Sequence, residues 1–266
     1  MKILEKEDKV ISEFLSSIGP WYKNIVIGGG YALIIYKLYL AEKNSNTPPV
    51  GTNDIDTLIP RKVPEITEKN IGKYLRDAGF THIFKDLNLP ATEAYAKDID
   101  GMEIEIEFLT DSAVRKDRYK NVLISGVVAQ PLSYLSLSLQ TTKNFRTSSG
   151  QSGIVVSPGA WMFHKGLTFV KRRKDTKITK DLYGIWYVAT QLGDFSKEAI
   201  DELLLLGLKH TTWFKSLQKN LRGWLENASP LDWSNLEAQD ASGSLTKSNF
   251  EWAMKSLVNP ALRDKK

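Results

Sequence analysis

The run NIVIGGGYALIIYKLYLAEK at 24–43 leaves this chain few ways to fold. Ile25, Val26 and Ile27 suit a short buried strand. Gly28, Gly29 and Gly30 then let the backbone turn where a Cβ would obstruct it. Tyr31 to Leu40 is apolar on almost every side, as a helix lying against a sheet must be. A strand that turns straight into a buried helix belongs to a layered α/β architecture. The stretch from Ile25 to Leu40 is too short, and too interrupted by glycines and Lys37, to span a bilayer.

The rest of the first half follows the same plan. Val10, Ile11, Phe14 and Leu15 mark a helix over 5–18, and a second helix is expected over 65–79. DIDTLIP reads as a strand closed by Pro60. TEAYAKDI and MEIEIEFL are two alternating stretches separated by Asp100-Gly101, a hairpin signal. NVLISGVVA and LSYLSLSL are further strand candidates, the second also compatible with a helix, and NSNTPP is a loop. TSSGQSG at 147–153 is expected to be a loop at a domain boundary. Beyond it the pattern turns helical: Ser157-Pro158 opens a helix to about Arg173, and others are expected over 180–192, 196–207 and 211–227. A last helix starts at Ser248, where Ser248 and Glu251 have capping-box spacing, and 235–247 reads as a flexible link. The expected plan is therefore an α/β (α+β) domain with a mixed sheet over 1–150 and a mainly α-helical domain over 151–266. At 266 residues, 42% hydrophobic and 25% charged, the chain can bury both cores. With no cysteine it holds neither a disulfide scaffold nor a thiolate metal site.

Three features carry chemistry. The glycine triplet lacks the spacing of a dinucleotide site or a P-loop, yet it places free N–H groups at a helix start, where phosphate oxygens can approach. Asp54 and Asp56 project to one face of their strand. Two carboxylates so close repel unless one keeps a proton or a cation lies between them, and Mg²⁺ takes oxygen ligands of this kind. The plainer reading is a turn aspartate beside an exposed strand aspartate. Glu103, Glu105 and Glu107 share a face of the MEIEIEFL strand. Glu103 suits water, whereas Glu107 precedes Phe108-Leu109, where the strand turns inward and an acid needs a partner. Glu107 is therefore the expected third acid and Glu105 the reserve.

The motifs GGGYAL, TNDID and EIEFL together resemble the active site of the DNA polymerase β-type nucleotidyltransferase superfamily, and the GG-x-A…T-x-DID form is similar to its minimal, toxin-like branch, including AbiEii-like nucleotidyltransferases. The resemblance implies a nucleotidyltransferase fold and transfer of an NMP from an NTP to a hydroxyl. It implies that Gly29 and Gly30 hold the triphosphate, that Asp54 and Asp56 carry Mg²⁺ (or Mn²⁺), and that Glu107 completes the metal cup and activates the acceptor. FHKGLTFVKRRKDTKITKDLYGIWYV resembles the nucleotide-binding segment of that branch, which implies roles for Lys165, Arg172 or Arg173, and Asp181. The plainer readings are an exposed lysine and a dipole-favoured acid. Val50 stands where the branch often has arginine, Tyr31 where it has a small residue, and Gly184 where a second acid is common.

The segment KRRKDTKITK at 171–180 carries six basic residues and one acid. It is either a solvated helix end or a phosphate-facing patch that favours RNA, such as a tRNA end, as acceptor. A protein side chain or a small molecule is the alternative acceptor. The toxin-like resemblance implies an antitoxin partner, and a chain opening MKILEK, without a secretory apolar core, is expected in the cytoplasm with no membrane contact. The rival class is a non-catalytic module that binds nucleotide or a partner on a retained fold. The three histidines are scattered and lack zinc spacing.

Overall fold

A computed structural model describes residues 4–41, 49, 51–64, 69–86, 91–112 and 120–258. The chain divides into two units, one of Met1–Leu40 with Gly51–Ser157 and one of Ala41–Val50 with Pro158–Lys266.

The first unit opens with α1 (Glu5–Ser17). Its first turn holds Glu5, Glu7 and Asp8, where the helix dipole favours acids, and it buries Val10, Ile11, Phe14 and Leu15 as the periodicity requires. β1 (Val26–Ile27) leads into α2 (Gly29–Ile35), which widens to a π-helical turn over Tyr36–Leu40. Then come β2 (Asp54–Leu58), α3 (Ile71–Asp77), β3 (Thr81–Asp86), β4 (Thr92–Ile99) and β5 (Met102–Asp111). β6 (Val122–Ile124), β7 (Val127–Leu132), α4 (Leu135–Gln140), β8 (Thr142–Arg146) and β9 (Ser152–Val156) complete the unit. All nine strands form one mixed sheet in the order β3-β4-β5-β2-β1-β9-β8, with β7 paired to β5 and β6 to β7.

β5 is the spine of this sheet. One edge of it pairs antiparallel with β4 over Met102–Ile106 and then parallel with β7 over Phe108–Asp111. The other edge runs parallel to β2. Buried between these ladders, Ile55, Ile104, Ile106 and Phe108 form the floor of the core. Asp100 and Gly101 adopt φ of 58° and 77°, the paired left-handed conformations of a type I′ turn.

Several expectations change. NVLISGVVA is a hairpin, because Ser125 and Gly126 both take positive φ and split it into β6 and β7. LSYLSLSL takes its helical option as α4. The segment 147–153 holds the turn that joins β8 to β9 inside the first unit, and the division between units falls after Ser157. THIFKD, unassigned from the pattern, is edge strand β3. Residues 65–68 of the expected second helix, 44–48 of NSNTPP, and Val50 lie outside the described residues.

The second unit is helical: α5 (Pro158–Thr168), α6 (Asp175–Thr190), α7 (Asp194–Lys209), α8 (Thr211–Asn227), α9 (Pro230–Glu237) and α10 (Lys247–Val258). Phe163, Leu182, Trp186, Tyr187, Leu203 and Phe250 are buried at its centre. Trp224, Trp233 and Phe250 meet edge to face, with centroids 4.7 to 5.8 Å apart. The expected flexible link at 235–247 is partly α9 and partly a loop tied down by Asp240, whose carboxylate accepts from the N–H groups of Ser242 and Leu245. The start of α10 is capped by Thr246 and Asn249 instead of Ser248 and Glu251: each side chain accepts from the other residue's N–H, while Glu251 pairs with Lys255 at 3.0 Å. No described helix is long and apolar enough to cross a membrane.

Candidate active site

The glycine turn and the aspartates meet because β1 and β2 run antiparallel. Ile27 pairs with Thr57, so the chain leaving β1 emerges beside Asp56, and the Gly28 N–H donates to the Asp56 carbonyl at 2.8 Å. Gly29 follows at φ 55°. A Cβ there would lie 1.9 Å from Asp56 Oδ2, so the aspartate packs directly on the glycine backbone. A Cβ on Gly30 would lie 2.7 Å from Thr52 Cγ2. Two successive glycines are thus required by Asp56 on β2 and by Thr52 just before that strand. The Thr52 hydroxyl in turn accepts from the Asp54 N–H at 3.4 Å.

β2 alternates as its sequence requires, with Ile55 and Thr57 wholly buried, Asp54 exposed and Asp56 half-buried. Parallel pairing sets Asp54 beside Glu105 and Asp56 beside Glu107. Register partners in a ladder present their side chains on the same face, so four carboxylates occupy a two-by-two patch. Glu107 is the partner of Asp56, as the third-acid reading requires, and Glu105 is the partner of Asp54. Glu103 is exposed, as expected.

Two neighbours were not foreseen. Lys85, on β3, donates from Nζ to Glu107 Oε1 at 2.5 Å and also pairs with Glu105. Burial pulls its ammonium down, but the hydrogen bonds and charges of the two glutamates outweigh that and hold it well above the ordinary lysine value. An edge-strand lysine carries no local signal of such a role, since edges recruit lysine for solubility. The second neighbour is Tyr31, buried in α2. Its hydroxyl is pushed well above its usual value, first by burial and then by the charges of Glu7 and Asp54. Glu7 Oε2 is itself buried, without a hydrogen-bond partner among the described residues.

The donor set fits a hard divalent cation in kind: oxygen ligands only, two of them alternate residues of one strand. A positive charge, the Lys85 ammonium, already sits among them. No three acidic or histidine side chains among the described residues converge as a ligand set.

In the second unit, Lys165, Arg172 and Asp181 form one triad. Lys165 Nζ donates to Asp181 Oδ1 at 2.6 Å and Arg172 Nε to Oδ2 at 2.9 Å. Asp181 is 6% exposed. Burial pushes its carboxyl up, but the charges of Lys165 and Arg172 prevail and leave it below the usual carboxylate value. Lys165 also lies over the Trp161 ring at 5.5 Å. Arg173 and Lys174 are exposed. His82 stacks on Tyr95 and His210 on Trp213, both with centroids 5.0 Å apart.

A family model described as Nucleotidyltransferase matches residues 7–203. Two of the similar solved structures are as follows. One is an antigenic nucleotidyltransferase-like protein from Paracoccidioides brasiliensis, 16% identical, with 78% of this chain and 93% of that chain covered and a TM-score of 0.39. The other is a candidate nucleotidyltransferase from H. pylori, 10% identical, with 100% and 98% covered and a TM-score of 0.45. No curated protein matches the chain.

Proposed function

This chain belongs to the Nucleotidyltransferase family, and from that premise we propose that it moves a nucleoside monophosphate from an NTP to a hydroxyl acceptor. The observation that carries the reading is the register of β2 and β5, which sets Asp54 and Asp56 beside Glu105 and Glu107 next to the glycine turn. Asp54 and Asp56 are the proposed ligands of Mg²⁺ or Mn²⁺, with Glu107 as the third acid. Bound there, the metal supplies the positive charge that an in-line displacement at phosphorus needs. The acceptor oxygen attacks the α-phosphorus, Glu107 takes the hydroxyl proton, and the bond to the bridging oxygen breaks with release of pyrophosphate. Gly29 and Gly30, at the turn against Asp56 and Thr52, are proposed to hold the triphosphate along the backbone. Lys165, Arg172 and Asp181 are proposed to help hold the nucleotide.

The exposed basic residues at 171–174 favour RNA as the acceptor. The resemblance to the toxin-like branch adds growth arrest on expression, relieved by Asp54→Ala. Equilibrium binding of each NTP with and without Mg²⁺ tests the site. The reading expects cation-dependent binding that Asp54→Ala abolishes. Binding indifferent both to the cation and to that substitution contradicts it.

A further inference from the structure

Lys85 stands at a break in the β3–β4 ladder. Phe84 pairs with Glu93 and Asp86 with Thr92, so Lys85 is the extra residue of a bulge. A bulge re-aims the side chain it carries and bends its strand. Here Lys85 reaches past β4 to two glutamates of β5. An edge lysine that only guarded against strand pairing would extend into water, yet this side chain is 30% exposed and both of its partners are acids of the proposed site. Those acids lie in register with Asp54 and Asp56, so four like charges share one patch. One ammonium shared by Glu105 and Glu107 relieves part of that repulsion.

We propose that Lys85 is the resident counter-ion of the acid patch and a positioning residue for Glu107. It holds Glu107 toward Glu105 while the patch lacks a divalent cation. When a cation binds at Asp54 and Asp56, Lys85 stays with Glu105 and Glu107 is freed to join the aspartates. Lys85 thereby sets how tightly the patch takes metal and which glutamate becomes the third acid. This inference rests on the metal-dependent reading above.

The test is Mn²⁺ titration followed by the electron paramagnetic resonance signal of the free ion, without nucleotide. Removing a competing ammonium held by two partly exposed ion pairs predicts that Lys85→Met binds Mn²⁺ roughly two- to tenfold more tightly than the wild type. Lys85→Arg, which keeps the charge, stays near the wild-type affinity. Glu105→Gln leaves the ammonium on Glu107 alone and weakens Mn²⁺ binding. That weakening shrinks in the Lys85→Met, Glu105→Gln double variant, a coupling that independent surface charges would not give. Equal or weaker binding by Lys85→Met with an unchanged far-UV circular dichroism spectrum overturns the role of Lys85 and leaves the metal reading standing. Should Lys85→Met not fold, unchanged binding by Glu105→Gln overturns it instead. A wild type that binds no Mn²⁺ overturns both.

Discussion

Gly29 is where the whole site depends on a missing side chain. Its φ of 55° and the 1.9 Å approach of Asp56 Oδ2 to a virtual Cβ are separate reasons for glycine. Gly29→Ala therefore pays twice, costing about 1–2 kcal/mol for the left-handed backbone alone and displacing Asp56 as well. Chemical denaturation and NTP binding measured on the same variant check this: stability falls and cation-dependent binding falls with it. Asp181 gives a pH test. Its folded value is depressed by Lys165 and Arg172, so its contribution is fully present above the ordinary aspartate value of about 4 and is lost as pH falls below it, through the depressed value. Urea unfolding at pH 7 and pH 3 should show a smaller acid-induced loss in Asp181→Asn than in the wild type. At pH 7 that variant is destabilised by about 3 kcal/mol, because Lys165 keeps its charge in a buried place without its partner.

Among the elements, the β4–β5 hairpin is the most legible. Gly101 has open space around a virtual Cβ but sits at φ 77°, so Gly101→Ala isolates backbone strain and should cost about 1 kcal/mol. The same substitution at Gly51, which is also open and has no such φ, should leave the denaturation midpoint nearly unchanged. Period-two alternation and an Asp-Gly turn are local signals: Glu103 to Phe108 alternates in burial and Asp100-Gly101 makes the turn, whereas in TEAYAKDI Ala94 and Tyr95 are buried in succession. β3 escaped because an edge strand has no need of a clean apolar face, so THIFKD shows no alternation. NVLISGVVA reads as one strand because two short strands and a Ser-Gly turn together look like a single apolar run. α9 has a local signal of its own: Ser229-Pro230-Leu231-Asp232 is a capping box with proline at the first position. The acids of the site were legible in parity, since alternate residues share a face. Their pairing with Lys85 was not, because it depends on a bulge two strands away.

At the scale of the molecule, the switch from alternating to helical patterning marked two kinds of unit, and the described structure has both. In the first unit Asp54 and Asp56 lie in register with Glu105 and Glu107, and in the second Lys165 and Arg172 both pair with Asp181. The proposed role of the first of these clusters is nucleotidyl transfer. Its most direct test incubates the purified protein with Mg²⁺ or Mn²⁺, bulk tRNA and each α-labelled NTP in turn, beside Asp54→Ala and Asp56→Ala. Label should move into the acceptor with pyrophosphate released, and each variant should lose roughly 10³-fold or more of that transfer. Cation-dependent NTP binding with no transfer to RNA, protein or small-molecule hydroxyls, or transfer that survives both substitutions, would contradict that role.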